Sequence, residues 1–183
     1  MTTRPQRPRA RDAETAVAWE RWLADELLDA GVDVGALVPD KRLDPVIAGL
    51  RARGLLVRSL TQEEECVAYA AGQFLAGGRP VVLMQSSGLG NALNALGSLV
   101  LPYSVGIPLI VSMRGTLGET NPSQVPIGRA TVGLLAALGI QAFSATHPDQ
   151  VRHMARSVVA MAGAGITTAM LLSQELESHD EHP

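Results

Sequence analysis

The chain of 183 residues has a single cysteine, Cys66. No intrachain disulfide can form, which suits a reducing compartment and makes the cytoplasm the expected location. Long apolar runs are also missing. Pro102, Gly106 and Pro108 interrupt the most hydrophobic region, so no stretch approaches the roughly 18–20 residues that span a bilayer, and no membrane association is expected. Excess positive charge is absent: the formal net charge is −3, which argues against nucleic acid as the main partner. Histidine is scarce and late. His147 reads as the start of a helix and His153 as part of it, while His179 and His182 fall in the tail. The cluster His179-Asp180-Glu181-His182 would make only a weak metal site, and no metal ligand is assigned to this chain. No internal repeat is present.

An apolar content of 46% is ample for one core and the length leaves no room for a second domain. Residues 1–13, with Arg4, Arg7, Arg9 and Arg11, lack apolar periodicity and read as a disordered arm; an arm for anionic partners and a targeting peptide are the alternatives. Residues 174–183 read as an acidic tail, leaving 14–173 as the folded domain. Within it, helical periodicity over Glu14–Ala30 gives way to a short strand, Val32–Val38. Helices over Leu43–Arg53, Gln62–Ala76, Gly88–Val100, Gly128–Leu138 and Asp149–Ala162 then alternate with strands over Leu55–Arg58, Pro80–Met84, Ile107–Met113, Gln141–Phe143 and Ile166–Leu172. Strands apolar on both faces, separated by helices, indicate a three-layer α/β fold with an about six-stranded, mostly parallel sheet and right-handed crossovers. Arg114 to Pro126 reads as a loop of 13 residues, a length usually reserved for function.

In such sheets ligands gather beyond the carboxyl ends of the strands, here Pro39-Asp40, Ser59 to Glu63, Gln85 to Asn91 and Met113 to Gln124. Thr61-Gln62-Glu63-Glu64 has capping-box spacing, which assigns Glu64 to the cap and leaves Glu63 free to project. Glu65 is expected to be solvent-facing or salt-bridged. Glu63 then reads either as a chemical acid or as a favourable charge at a helix N-terminus. Gly88 and Gly90 open a helix after a strand, as in a dinucleotide fingerprint, but Leu93 occupies the third glycine position and no acidic residue follows about 20 positions on, which excludes a Rossmann site. The turn serves close packing or a ligand. Arg114 reads as an anion-binding group or an exposed loop residue, and Gln124 is equally open. Cys66 reads as a small buried residue.

Taken together, three segments resemble one known family: Glu63-Glu64-Glu65 with Gly72 nine positions after Glu63, Met84-Gln85-Ser86-Ser87-Gly88-Leu89-Gly90-Asn91, and Ser123 to Thr131. The chain from about Trp19 to Leu172 is similar to the α subunit of sulfopyruvate decarboxylase and the amino-terminal domain of phosphonopyruvate decarboxylase, thiamine diphosphate enzymes. The resemblance implies a pyrimidine-binding domain in which Glu63 hydrogen-bonds N1′ of the cofactor and promotes loss of its C2 proton. It further implies that Pro39, Asp40, Ser87, Gly88, Leu89, Gly90 and Asn91 line the cofactor, and that Arg114 and Gln124 face the substrate, a small 2-oxo acid. The reaction so implied releases carbon dioxide and an aldehyde. Ser86 stands where the family has asparagine and Met113 where it has tryptophan, which bears on substrate identity. The Gly-Asp-Gly motif that holds Mg2+ and the diphosphate is absent, so a separately encoded β subunit is implied, in an α2β2 or larger assembly. A noncatalytic scaffold, a carboligase of the acetolactate synthase type and a flavodoxin-like binder are the rival readings.

Overall fold

The computed structural model describes residues 19–116 and 119–176. The expected arm and the histidines at 179 and 182 lie outside these residues. The chain runs α1 (Trp19–Asp29), β1 (Val34–Leu37), α2 (Asp44–Ala52), β2 (Leu56–Ser59), α3 (Glu63–Leu75) and β3 (Pro80–Gln85). It continues through α4 (Leu89–Ala95), β4 (Pro108–Ser112), α5 (Val125–Ala137), β5 (Gln141–Ala145), α6 (Pro148–Gly163) and β6 (Thr168–Leu172). The six strands form one sheet in the order β2-β1-β3-β4-β6-β5, and every pair is parallel. No helix among the described residues is long and apolar enough to cross a membrane.

The four inner strands are apolar because both of their faces are covered. β1, β4 and β6 are buried at every position, whereas the edge strand β2 is largely exposed and the edge strand β5 only partly buried. One core lies between the sheet and α1, α2 and α6, and is filled by Trp19, Leu23, Leu50, Leu83, Val158 and Met170. The other joins the sheet to α3, α4 and α5 through Val67, Ala70, Met84, Leu96, Leu109 and Leu135. The chain leaves β1 for α2 on one face and β3 for α4 on the opposite face. These adjacent strands therefore diverge at their carboxyl ends and open a topological switch point, the crevice where ligands of open α/β sheets bind.

The helix after β3 is less regular than its periodicity suggests. A 3-10 turn over Ser86–Gly88 precedes α4, a π-helical segment Leu96–Val100 follows it, and a 3-10 turn Leu101–Tyr103 closes the run. Pro102 lacks the N–H that a continuing α-helix would need. In contrast α5 starts earlier than expected, at Val125, since Pro126 occupies its first turn, where a missing N–H costs nothing. The long segment before it is thereby shortened, and it contains a further 3-10 turn, Pro122–Gln124.

Candidate active site

The N-terminus of α3 sets the site. Gln62, extended at φ −139° and ψ 154°, is the cap, so the three acids occupy the first three helical positions. The capping carboxylate belongs to Glu65 and not to Glu64: Glu65 accepts from the Thr61 hydroxyl, from the Thr61 N–H at 3.0 Å and from the Gln62 N–H at 3.3 Å. Those bonds hold the Glu65 carboxyl below its ordinary range, the Thr61 hydroxyl contributing most. The expected Thr61-to-Glu64 box is thus displaced by one residue, and Glu64 is solvent-facing.

Glu63 is only 6% exposed. It shares the inner face of α3 with Cys66, Val67, Ala70 and Ala71. A buried carboxylate is costly unless polar partners replace its water. Here the partners are the α3 N-terminus and Asn91, whose Nδ2 donates to Glu63 Oε2 at 3.1 Å. Gly88 leaves the space: a Cβ at this position would overlap the Glu63 carboxyl group. The glycine therefore serves close packing, and what packs there is the acid.

A second polar group occupies the same carboxyl edge. Asp40, directly beyond β1 and buried, accepts from the Ser112 hydroxyl and pairs through Oδ1 with Arg114 Nη2 at 2.8 Å. Ser86 is fully buried, and its hydroxyl accepts from the Arg114 N–H at 3.0 Å. The ends of β1, β3 and β4 are thus tied together, and the guanidinium is fixed with its Nε buried and without a hydrogen-bond partner. Gln124, at the start of α5, likewise has a buried Oε1 with no partner. The N-terminus of α5 lies directly on this strand end, since a Cβ at Gly128 would overlap the Arg114 carbonyl.

The structure places the remaining candidates around this core. Ser87 is half-buried, Gly90 and Asn91 are exposed, and Pro39 is exposed beside Asp40. Leu89 is fully buried in the core. Arg42, absent from the sequence-based set, donates from Nη2 to the Leu176 carbonyl at 2.9 Å and to the Ser173 carbonyl. Burial lowers its pKa most; nearby Arg114 lowers it further, while Asp40 and Glu20 oppose the shift. Its signal in the sequence was its place two residues after Asp40, at a strand's carboxyl end. The segment after Arg114 is latched: Thr116 N–H donates to Gln174 Oε1 at 3.0 Å, and Gln174 Nε2 donates to Glu119 at 3.0 Å.

Cys66 plays no nucleophilic part. Burial, followed by the charges of Glu63 and Glu65, pushes its thiol up to about 12, so the thiolate is negligible at neutral pH. Among the described residues no group of three or more His, Cys, Asp or Glu side chains is placed to hold a metal ion. A cavity of about 440 Å3 between Phe74, Arg79, Pro80, Pro108 and Val159 lies at the opposite, amino edge of the sheet and takes no part in the site.

Comparison with known proteins follows the same lines. Residues 18–114 match the family described as thiamine pyrophosphate enzyme, N-terminal TPP binding domain. Sulfopyruvate decarboxylase subunit alpha of Methanococcus maripaludis is 35% identical over 157 residues, covering 85% of this chain and 94% of that protein. The protein of the same name from Methanothermobacter thermautotrophicus is 42% identical over 125 residues, 68% of this chain and 76% of the relative. Phosphonopyruvate decarboxylase of Streptomyces viridochromogenes is 40% identical over 114 residues, 60% of this chain and 28% of its own length. Among solved structures, 2-oxoglutarate:ferredoxin oxidoreductase from Magnetococcus marinus aligns with a TM-score of 0.63 and 11% identity over 88% of this chain and 30% of that one, a likeness of fold.

Proposed function

The chain belongs to the thiamine pyrophosphate enzyme family, as its N-terminal TPP-binding domain, and from that premise we propose that it is the α subunit of a two-chain, thiamine diphosphate-dependent 2-oxo acid decarboxylase. The observation that carries the reading is Glu63: a buried carboxylate at a helix N-terminus, seated against Gly88 at the switch point of the sheet. A carboxylate kept from water at such an edge, with a cradle that any side chain at position 88 would fill, fits an aminopyrimidine ring whose nitrogen must exchange a proton. Glu63 would hold that nitrogen, while Pro39, Asp40 and the backbone of Ser87 to Asn91 would line the ring.

The bound cofactor supplies a nucleophilic carbon for the 2-oxo carbonyl and an electron sink for the pair left behind by carbon dioxide. Glu63 shares a proton with the ring nitrogen and so promotes the acid–base step at the cofactor. Arg114 binds the substrate's distal anionic group, a sulfonate, a phosphonate or a relative of these, through donors that Asp40 leaves free. A cation suits that end of the substrate better than the departing carboxylate, because stabilising the ground-state carboxylate would oppose decarboxylation. The side-chain amide of Gln124 would complete the same pocket with its N–H donors. Ser112 and Ser86, which fix Asp40 and the Arg114 backbone, hold the guanidinium in place.

The reading assigns the diphosphate and Mg2+ to a separately encoded β subunit in an α2β2 or larger assembly. Two relatives named subunit alpha support it, as does the outer face of α3. There Ala68, Gly72 and Leu75 are exposed, Leu75 to 66%, and nothing lies within 4 Å of a Cβ built at Gly72. The test is co-expression with a neighbouring reading frame that encodes the diphosphate module, followed by carbon dioxide release from sulfopyruvate and phosphonopyruvate. Turnover that collapses in Glu63→Gln supports the proposal, and undiminished turnover in that variant defeats it. Cofactor and Mg2+ that fail to raise the melting temperature of the pair would favour a scaffold instead.

A further inference from the structure

The geometry points to Asn91 as the positioning residue of Glu63: it holds one carboxylate oxygen, Oε2, and leaves the other, Oε1, as the atom that meets the cofactor ring. This rests on the reading that Glu63 serves thiamine diphosphate, and it changes the part given to Asn91, which then acts through the acid and does not touch the ring. Three observations carry it. Asn91 Nδ2 donates to Oε2 at 3.1 Å, from a helix 28 residues further along the chain. Among the described residues, Oε1 accepts no hydrogen bond, although the side chain as a whole is only 6% exposed. Finally, Oε1 lies over Gly88, where no side chain intervenes.

The division follows from the donor inventory. A carboxamide has two N–H donors and no charge, so it can fix a carboxylate without neutralising it. A lysine or arginine there would bind Oε2 more strongly but would hold the acid permanently ionised and so blunt its exchange of protons. The titratable groups beside Glu63 on its own helix are Glu64, Glu65 and Cys66, of which Cys66 lies within Coulombic reach of it. Against it, α4 and the β3–α4 turn place the neutral Asn91 and Gly88. The carboxylate plane is therefore set by one hydrogen bond, and the orientation of the free oxygen depends on it.

Two measurements test the assignment. In the free full-length chain, the Asn91 side-chain amide resonances are followed by NMR; Glu63→Gln should move them well outside the spread of other asparagine amides, and unmoved resonances would overturn the contact. In the complex with the β subunit, thiamine diphosphate affinity and C2–H deuterium exchange are measured for wild type, Asn91→Ala and Asn91→Asp. Asn91→Ala should slow exchange about 10- to 100-fold while Kd changes by less than about threefold, a factor below 1 kcal/mol. Asn91→Asp should exchange nearly normally at low pH, where its protonated carboxyl still donates to Oε2, and lose that rate as pH rises and the two carboxylates repel. A weaker Kd with unchanged exchange would mean that Asn91 contacts the ring directly, and a pH profile parallel to wild type would mean a packing role; either result overturns the inference. If wild type itself does not accelerate exchange, it is the thiamine diphosphate reading that fails.

Discussion

Substituting Gly88 by alanine separates the fold from the chemistry. Gly88 has φ −80° and ψ −16°, ordinary right-handed geometry that alanine adopts without strain. The exchange should therefore stabilise the chain by about 0.4–1 kcal/mol through the unfolded state. Against that stands the new methyl group, which overlaps the Glu63 carboxyl. The obstructing atoms belong to a flexible side chain, so the acid rotates away and its bond from Asn91, a bond to a charged group, is lost, at about 1.5–3 kcal/mol. The loss outweighs the gain by about 0.5–2.6 kcal/mol, and the melting temperature should fall by about 1–10 °C, since about 1 kcal/mol moves a chain of this size by ~2–4 °C. Activity has no such compensation. Displacing an acid–base group costs about 10²–10⁴ in rate, so carbon dioxide release by the assembled pair should fall by at least 10²-fold. A Gly88→Ala chain that melts normally and turns over at the wild-type rate would refute the argument that this glycine exists to seat the acid.

Two further outcomes follow. The Glu119 carboxyl is held below its ordinary range by the Asn121 N–H first, then by the Gly115 N–H and Gln174. A depressed carboxylate pKa means that the latch is fully formed above the unfolded value and is released as pH falls through the lower folded value. Hydrogen exchange at the Gly115 and Asn121 amides should therefore rise on acidification beyond the intrinsic trend in wild type, and show no such pH step in Glu119→Gln. Cys66, with its thiol pushed up to about 12, should resist alkylation at pH 7–9 in the native chain and react only after unfolding; rapid native labelling would contradict its burial.

Much of the architecture was legible because it rests on local rules. Two-sided apolar strands alternating with amphipathic helices specify a parallel sheet, and the glycine-rich turn after β3 marks a carboxyl edge. The errors of detail have local causes too. The expected start of α5 at Gly128 is late because the expected loop runs to Pro126, whereas proline fits a first helical turn. The α3 cap was placed one residue early because Thr61 and Glu64 satisfy the spacing rule, while the extended backbone of Gln62 hands the role to Glu65. Pairings that bridge distant segments follow from no spacing at all. Asp40 with Arg114, Ser86 with the Arg114 N–H and Asn91 with Glu63 are separated by 74, 28 and 28 residues and meet because the neighbouring strands β2, β1, β3 and β4 end at one edge of the sheet. Arg42 was missed for the same reason: its partners at Ser173 and Leu176 come from the far end of the chain.

The central claim is that the acid at position 63 meets the pyrimidine ring of a cofactor completed by a second polypeptide. A crystal structure of the assembled pair with thiamine diphosphate and Mg2+ measures this directly. The account predicts a Glu63 oxygen about 2.6–3.0 Å from the ring nitrogen N1′, with Asn91 still on the other oxygen. A ring bound elsewhere, or a Glu63 carboxylate turned to solvent beside an occupied cofactor site, would contradict it.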